Sequence, residues 1–251
     1  MTDEIVPSPQ PDDARPSASL LSKARIAARG LASLLRPPPA LAATSTSEPP
    51  DVASPDTRRA RRIPPGQVET RRWPVLHAGP TPRIDLPSWT FTVSGLVASP
   101  ISWTWPEFRS LPTARVFADM HCVTRWSMLS NTWEGVLVAE VLKHVQLGDE
   151  ARFVLVRADG GYSTNLPLDE FRAEDCLFAW SHNGRDLDPD HGGPLRLVVP
   201  RLYAWKSAKW VRGVEFLKDD APGFWEDNGY HNHGDPWAAN PKGTDSVERY
   251  W

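Results

Sequence analysis

The distribution of tryptophan and proline is the feature that most limits what this chain can fold into. Residues 1–65 hold 12 of the 26 prolines together with many Ala, Ser and Arg residues, whereas all 12 tryptophans lie at Trp73 or later. Only the burial of large side chains can offset the entropy that a backbone loses on ordering. We therefore predict a disordered Pro/Ala/Arg-rich tail over residues 1–62 and one folded domain over residues 63–251.

Charge, cysteine content and hydropathy exclude several classes of protein. A net charge of −3 gives no general attraction to nucleic acid, whose binding needs concentrated Lys and Arg. The 2 cysteines, Cys122 and Cys176, cannot build a disulfide framework, which favours a reducing compartment and hence the cytoplasm. No apolar run approaches the roughly 20 residues that span a bilayer, so we predict no transmembrane span.

The folded part of the sequence has the pattern of short strands interrupted by turns and short helices. WTFTVSGLV alternates with period two, and ARFVLVRADGGYSTNL predicts two strands joined at Asp159–Gly161. SWTWPEFRSLP, with a Ser at its start, and EGVLVAEVLKHVQL predict short helices, and a further strand is expected near Trp210–Leu217. Because regular βαβ alternation is absent, we predict a mixed α+β domain.

Cys122 is the most conspicuous candidate for chemistry. The chain has no Gly-rich phosphate loop and no G-x-S-x-G nucleophile turn. As a buried thiol, Cys122 would need no polar neighbours; as a nucleophile, it would need a base other than the adjacent His121, whose side chain points away on an extended segment. As a metal ligand, a single thiolate suits a transition metal whose other ligands come from a cofactor.

Candidate donors for an anionic cofactor lie between Asn183 and Phe216. An arginine inside an apolar strand, as at Arg196, either reaches the surface or pairs with a buried anion. Gly192 and Gly193 allow a close approach of the backbone to a ligand. The other donors of this segment are His191, Lys206, Ser207 and Lys209.

Three ordered segments together resemble one known family. They are DMHCVTRWSMLSNTWEGV, HGGPLRLVVPRLYAWKSAKWVRGVEF and PGFWEDNGYHNHGDPW. They resemble the sulfite-oxidase-like molybdopterin-dependent oxidoreductases, in particular a short bacterial branch related to the catalytic subunit of the methionine sulfoxide reductase system. The resemblance spans about residues 63–237. It implies an α+β molybdopterin-binding catalytic domain with several mixed β-sheets and short helices.

The resemblance also implies the ligands of the cofactor. Cys122 is expected to bind molybdenum beside the two dithiolene sulfurs of molybdopterin. Arg196 is expected to contact the pterin phosphate, which Ser207, Ala208 and Lys209 would surround with backbone amides and an ammonium group. His191 stands where the methionine sulfoxide reductase branch has an asparagine. The segment RRWPVLHAG further implies cofactor contacts from Trp73, Leu76 and His77.

In that family the molybdenum centre transfers an oxygen atom to or from a small-molecule substrate and exchanges electrons with a separate haem or flavin protein. Arg125 and Arg201 are expected to face an oxyanion, and Tyr203 is expected to donate a hydrogen bond near the metal. Sulfite oxidation would require several cations around the site, whereas the apolar residues near Cys122 favour sulfoxide reduction. Those apolar residues are Trp126, Met128 and Trp205.

Two other functions compete with this one. His121, Cys122, His231 and His233 contain the ligand types of a zinc site for hydrolysis or structure. A non-enzymatic carrier of the molybdenum cofactor would also retain the three segments.

The assembly is expected to be a monomer. Sulfite oxidases carry an immunoglobulin-like dimerisation domain after the catalytic domain, and only residues 238–251 follow the last segment here. A sandwich of that kind needs about 100 residues.

Overall fold

The computed structural model describes residues 51–238, so the predicted tail residues 1–50 and the last residues, 239–251, lie outside the described range. Strands dominate the described part, and its helices are short. The strands are β1 (Val52–Ala53), β2 (Val68–Glu69), β3 (Thr90–Gly95), β4 (Ile101–Thr104), β5 (Ala114–Cys122), β6 (Trp126–Leu137), β7 (Phe153–Ala158), β8 (Ser163–Pro167), β9 (Leu177–His182), β10 (Arg185–Asp186), β11 (Arg196–Val198) and β12 (Val211–Leu217). The α-helices are α1 (Trp105–Arg109), α2 (Val138–Leu142), α3 (Leu168–Phe171) and α4 (Phe224–Asp227).

The strands form two mixed sheets. In the first sheet the order is β1-β5-β6-β9-β10, with β2 also beside β6 and β11 beside β9. In the second sheet the order is β4-β3-β12-β7-β8. The pairs β1/β5, β2/β6 and β3/β12 are parallel, and the other pairs are antiparallel. This arrangement confirms the predicted α+β class.

Aromatic side chains fill the core where the two sheets meet. Phe91 of the second sheet and Phe178 of the first lie with ring centroids 4.9 Å apart at 73°, and neither side chain is exposed. Phe108 of α1 packs against Phe91 at 4.9 Å. Each such ring contributes roughly 1.5–3 kcal/mol through burial. These contacts join the two sheets through one aromatic core, whereas Trp133 and Trp205 lie in two separate, smaller buried clusters.

Two of the predicted helices differ in detail from the structure. Helix α1 is capped by Thr104 rather than by the Ser at the start of its segment, because the Thr104 N–H and hydroxyl both donate to Glu107 Oε2 at 2.7 Å. Helix α2 is only five residues long. The reason is that β6 extends to Leu137 and takes the first four residues, 134–137, of the segment predicted to be helical.

Residues 51–62, which the predicted boundary assigns to the tail, pack against the domain in the structure. Strand β1 pairs in parallel with β5, and Ser54 and Asp56 are buried. Arg62 donates to both oxygens of Asp119, at 2.8 and 2.5 Å, and Asp119 is 1% exposed. Val52 and Ala53 of this stretch extend an edge of the first sheet, which composition does not reveal.

The Arg62–Asp119 pair generates a prediction about stability. Arg62→Ala should lower the free energy of unfolding by roughly 2–3 kcal/mol, because it leaves a buried carboxylate without its cation. Arg61→Ala is the matched control, since Arg61 is exposed, and it should change stability by less than about 0.5 kcal/mol. Urea denaturation measures both, and equal stability of the two variants would contradict the role given to the pair.

Candidate cofactor site around Cys122

Cys122 lies at the tip of the hairpin formed by β5 and β6. It is the last residue of β5, and it pairs directly with Trp126 at the start of β6. The N–H of Arg125 closes the turn by donating to the Cys122 carbonyl at 3.0 Å, with Arg125 in the left-handed region at φ 68°. The Thr124 hydroxyl donates to Cys122 Sγ at 3.1 Å. The turn therefore fixes the position of the thiol and gives its sulfur one hydrogen-bond donor.

The surroundings of the Cys122 thiol are apolar and aromatic. Cys122, Val123 and Trp205 form one buried cluster. The partly buried side chains packed against this cluster are Leu76, Trp126, Tyr203, Ala204, Trp225 and Tyr230. Burial raises the pKa of the Cys122 thiol, whereas the Thr124 hydrogen bonds and the charge of Lys209 act in the opposite direction. A thiolate in this position needs a cation beside it, which a bound metal supplies.

His121 faces away from Cys122, as expected for neighbours on a strand. Its ring is fully buried, and Nδ1 lies 2.9 Å from the Ser127 hydroxyl, which donates to Gln67 Oε1 at 2.6 Å. Burial lowers the pKa of His121. His121 is thus part of a buried hydrogen-bond chain behind the hairpin and is not paired with Cys122 as a general base.

Arg196 provides a second unusual group, a buried cation that forms no ion pair with an acidic side chain of residues 51–238. Its side chain is 2% exposed; Nη1 donates to the His191 carbonyl at 2.9 Å, Nη2 donates to the Ser207 carbonyl at 3.0 Å, and Nε has no partner. Burial lowers the pKa of Arg196 to about 9. Carbonyl groups do not neutralise the guanidinium charge, so this position suits a bound anion.

Lys209 lies beside Arg196 and is partly buried. Its Nζ donates to the Asp190 carbonyl at 2.6 Å. Burial and the charge of Arg196 lower the pKa of Lys209 to about 7, and Asp190 and Asp188 raise it again. Lys209 is one of the charges that lower the pKa of Cys122, so the thiol and the cations share one region of the protein.

Gly192 lets the backbone pack tightly against both cations. A Cβ atom on Gly192 would lie 3.1 Å from the Cβ atoms of Arg196 and of Lys209, and the residue has φ +109°. A side chain at this position would therefore be strained and would crowd the cation pair. This close approach is to the Arg196 and Lys209 side chains, and the predicted approach of Gly192 to a ligand stays a prediction.

Ser207 and Ala208 are placed beside the cations but differ in what they offer. The Ser207 hydroxyl accepts from Val199 N at 2.9 Å, and its own N–H donates to the Ala204 carbonyl at 3.2 Å. The Ser207 amide is therefore already engaged in a backbone hydrogen bond, and its contact with a phosphate stays a prediction. Ala208 is buried, and its carbonyl accepts from Leu197 N at 2.8 Å.

A stack of aromatic and imidazole rings lies beside the Arg196 guanidinium. Trp73 lies 4.0 Å from the His191 ring and 4.5 Å from the His182 ring, and its ring also lies 5.2 Å from the Arg196 guanidinium carbon. His191 Nδ1 is hydrogen-bonded to the Asp188 carboxylate at 2.9 Å. The predicted pair Trp73 and His191 is therefore brought together with Arg196.

Leu76 and His77 follow Trp73 but face different surroundings. Leu76 packs against the Cys122 cluster. The His77 ring lies 5.1 Å from the Trp210 ring, and its Nδ1 lies 3.0 Å from the Gly79 carbonyl. The segment RRWPVLHAG therefore connects the surroundings of Cys122 with those of Arg196, as its predicted role requires.

Two further predicted donors, Arg201 and Lys206, have acidic side chains beside them. Arg201 Nε lies 3.5 Å from Oδ1 of the fully buried Asp175, and the expected role of Arg201 toward a substrate oxyanion stays a prediction. Lys206 is fully buried and forms an ion pair with Glu226 at 2.7 Å, so it is not a donor for a cofactor. In both cases an acidic partner distant in sequence takes up the charge.

The zinc alternative is not supported. Among residues 51–238 no group of three or more His, Cys, Asp or Glu side chains is placed to hold a metal ion. His233 Nε2 lies 3.2 Å from Glu170, and His231 Nδ1 accepts from the N–H groups of His233 and Gly234. The histidines of the C-terminal segment thus serve a turn rather than a site with Cys122.

Sequence reasoning missed several residues that the structure places near the site. The His182 ring lies 4.5 Å from both Trp73 and Trp133, and burial together with the charge of Arg196 lowers its pKa to about 3. Thr124 was also missed, although its place two residues after Cys122 is a signal that a hydroxyl could reach the sulfur. His182 gave no such signal, because its neighbours come from distant strands.

Comparison with known proteins identifies the family. Residues 78–225 match the family model described as the oxidoreductase molybdopterin binding domain. The chain belongs to this family. It is accordingly an oxidoreductase, and the resemblance to the sulfite-oxidase-like branch is confirmed.

The alignments with relatives cover different shares of the relatives' own lengths. The chain is 48% identical over 177 residues to the uncharacterized oxidoreductase YuiH of Bacillus subtilis, covering 70% of this chain and 89% of that protein. It is 29% identical to the sulfite oxidase of Arabidopsis thaliana, covering 61% of this chain and 48% of that one. For the protein-methionine-sulfoxide reductase catalytic subunit MsrP of Ralstonia nicotianae the values are 26%, 64% and 55%. The chain thus spans about half the length of the last two.

A solved structure supports the fold. The crystal structure of the sulfane dehydrogenase SoxCD from Paracoccus pantotrophus matches with a TM-score of 0.52 at 20% identity, covering 57% of this chain and 41% of that one. At this identity the match concerns the fold alone. Among the described residues no helix is both long enough and apolar enough to cross a membrane.

The lowered pKa of Lys209 predicts how stability depends on pH. In protein purified without cofactor, the unfolded chain binds more protons than the folded chain between about pH 7 and the ordinary lysine pKa. Thermal denaturation between pH 6.5 and 8.5 should therefore show stability rising with pH, by up to about 1 kcal/mol per unit. Lys209→Met should remove this rise, and an unchanged slope in that variant would contradict the assignment.

Proposed function

We propose that this chain is the catalytic unit of a molybdenum-cofactor enzyme that transfers an oxygen atom and reduces a sulfoxide or a related oxide. Its electrons come from a separate redox protein. The observation that carries the proposal is the pairing, in one region, of a buried thiol at a hairpin tip with a buried guanidinium that has no carboxylate partner. One group suits a metal and the other suits the phosphate of the same cofactor.

The donor set fits molybdopterin. Arg196 and Lys209 are cations whose charges burial leaves poorly compensated, as a phosphate site requires. Cys122 offers one thiolate, which suits a metal whose remaining ligands belong to the cofactor. When bound, the molybdenum cofactor supplies two-electron oxygen-atom transfer together with one-electron exchange.

The protein's own residues hold the cofactor phosphate, orient the Cys122 sulfur and exclude water from the reacting substrate. Arg196 and Lys209 bind the phosphate, and Trp73 with His191 forms a wall over these cations. Thr124 orients the Cys122 sulfur through its hydroxyl. The aromatic side chains around Cys122 exclude water from the place where the substrate reacts.

The polarity of this region favours reduction of an oxide that carries apolar groups. Sulfite is a small anion and would be held best by several cations, yet Arg201 is engaged by Asp175, and the cluster around Cys122 is aromatic. In the favoured reaction a sulfoxide, two electrons and two protons give a sulfide and water. Arg125 is exposed at the hairpin tip and Tyr203 packs on the Cys122 cluster, so these two residues are the proposed polar contacts of the oxide oxygen.

The names of two relatives bear on the direction of the reaction. MsrP is named for the reduction of protein methionine sulfoxide, and sulfite oxidase is named for an oxidation. Sulfite-type oxidation is therefore the second candidate, and the substrate assay decides between them. The two free cysteines are compatible with the predicted cytoplasmic compartment, and the predicted monomer remains a prediction.

Replacing the thiol tests the proposed metal ligand. Cys122→Ser should lower turnover of methyl phenyl sulfoxide with reduced benzyl viologen by more than about 100-fold, since loss of a supporting partner alone commonly costs 10–100-fold. The fold should persist, because the side chain lies at a hairpin tip. Cys176→Ala is the control and should keep near-normal turnover. Near-normal activity of the Cys122→Ser enzyme would contradict the proposal.

Replacing the buried cation tests the proposed phosphate contact. Arg196→Met should lower the molybdenum and pterin content of the purified protein about tenfold or more, since an anion would then lose a buried, charge-assisted partner. Arg212→Met, on β12 and paired with Asp159, is the matched control. Equal cofactor content in both variants and wild type would show that Arg196 does not bind the cofactor.

A further inference from the structure

Trp205 forms one wall of the surroundings of the Cys122 thiol. It is 7% exposed and belongs to the buried cluster of Cys122 and Val123. Tyr203 stacks on its ring at 5.1 Å and 20°, and Tyr230 meets it edge-on at 5.1 Å and 88°. A molecule that reacts beside Cys122 therefore lies close to this indole.

The indole of Trp205 is held from several sides. Its Nε1 donates to Glu226 Oε1 at 2.9 Å, and its backbone carbonyl accepts from the Tyr162 hydroxyl at 2.5 Å. A Cβ atom on Gly234, which has φ +78°, would lie 3.1 Å from Trp205 Cζ2. Only a glycine leaves room for the ring in this orientation, so its position is closely defined.

Glu226 gathers three donors on one oxygen atom. Besides Trp205 Nε1, its Oε1 accepts from Lys206 Nζ at 2.7 Å and from the Thr164 hydroxyl at 3.1 Å. Lys206 is fully buried and also donates to the backbone and side-chain oxygens of Asn165, at 2.8 and 2.9 Å. A buried ion pair adds little stability compared with an apolar pair of similar size. Its other effect here is to fix the acceptor of the Trp205 indole.

We propose that Trp205 determines substrate specificity in the oxygen-transfer reaction and that Glu226 is the positioning residue that holds its indole. This inference rests on the proposed function and specifies its substrate class, a sulfoxide with an aromatic or large apolar substituent. Such a substituent packs against the indole, whereas a small polar oxide gains nothing from it. An apolar contact of this kind discriminates between substrates by roughly 10–200-fold in kcat/KM.

Two double variants separate positioning from stability. Lys206→Met/Glu226→Gln removes the ion pair but keeps an oxygen acceptor for Trp205 Nε1, whereas Lys206→Met/Glu226→Leu removes both. The measurement is the kcat/KM ratio of methyl phenyl sulfoxide to dimethyl sulfoxide, with molybdenum content and urea stability recorded for each holoenzyme. We expect the Gln variant to keep the wild-type ratio within about 2-fold and the Leu variant to lose about 10-fold. Equal ratios in the two variants overturn the positioning role.

A second measurement uses the wild-type holoenzyme, with Trp205→Phe to assign the resonance, and needs no turnover. The indole ¹H–¹⁵N resonance of Trp205, assigned by its loss in Trp205→Phe, should shift when methyl phenyl sulfone is added and not when dimethyl sulfone is added. The absence of a shift with either sulfone overturns the specificity role. If the holoenzyme reduces no sulfoxide at all, the proposed function fails, and the sulfone titration still decides whether Trp205 contacts an aromatic ligand.

Discussion

The hairpin of β5 and β6 is the constraint on which the rest of the site depends. Its tip carries Cys122, and two distant segments are fastened to that tip by backbone hydrogen bonds. Val68 N donates to the Arg125 carbonyl at 3.0 Å, and Ala204 N donates to the His121 carbonyl at 2.7 Å. The first bond brings in the segment that continues to Trp73 and Leu76, and the second brings in the loop with Trp205. One turn therefore holds together side chains, such as Trp73 and Trp205, that are far apart in the sequence. A preorganised site requires supporting contacts of this kind.

Two buried cationic arrangements near this hairpin serve different purposes. Lys206 is neutralised inside the protein by Glu226, so its charge needs no ligand. Among the described residues, Arg196 donates to two carbonyl groups and lies over the Trp73 ring, and no carboxylate pairs with it. Lys209 beside it has a pKa lowered to about 7. Leaving a charge buried without an opposite charge costs free energy that only a bound anion recovers. The first arrangement therefore belongs to the wall of the site, whereas the second belongs to the cofactor.

Period-two patterns, a conspicuous cysteine and an arginine in an apolar strand are local signals, so the sequence was enough to predict the fold class and the residues Cys122 and Arg196. The partners of the charged residues gave no local signal. Arg201 lies beside Asp175, and Lys206 forms an ion pair with Glu226. Neither acidic partner is close to its cation in the sequence. The packing of residues 51–62 against the domain gave no local signal for the same reason, since Arg62 pairs with Asp119, 57 positions away. Pairings between distant residues are set by sheet register, which a single sequence does not display.

X-ray absorption at the molybdenum K-edge tests the central claim most directly, because it examines the ligands of the metal without assuming a substrate. The holoenzyme should contain molybdenum, and its spectrum should show one more sulfur neighbour than that of the Cys122→Ser variant. A spectrum with the same number of sulfur neighbours in both proteins, or a purified holoenzyme that contains zinc in place of molybdenum, would contradict the account.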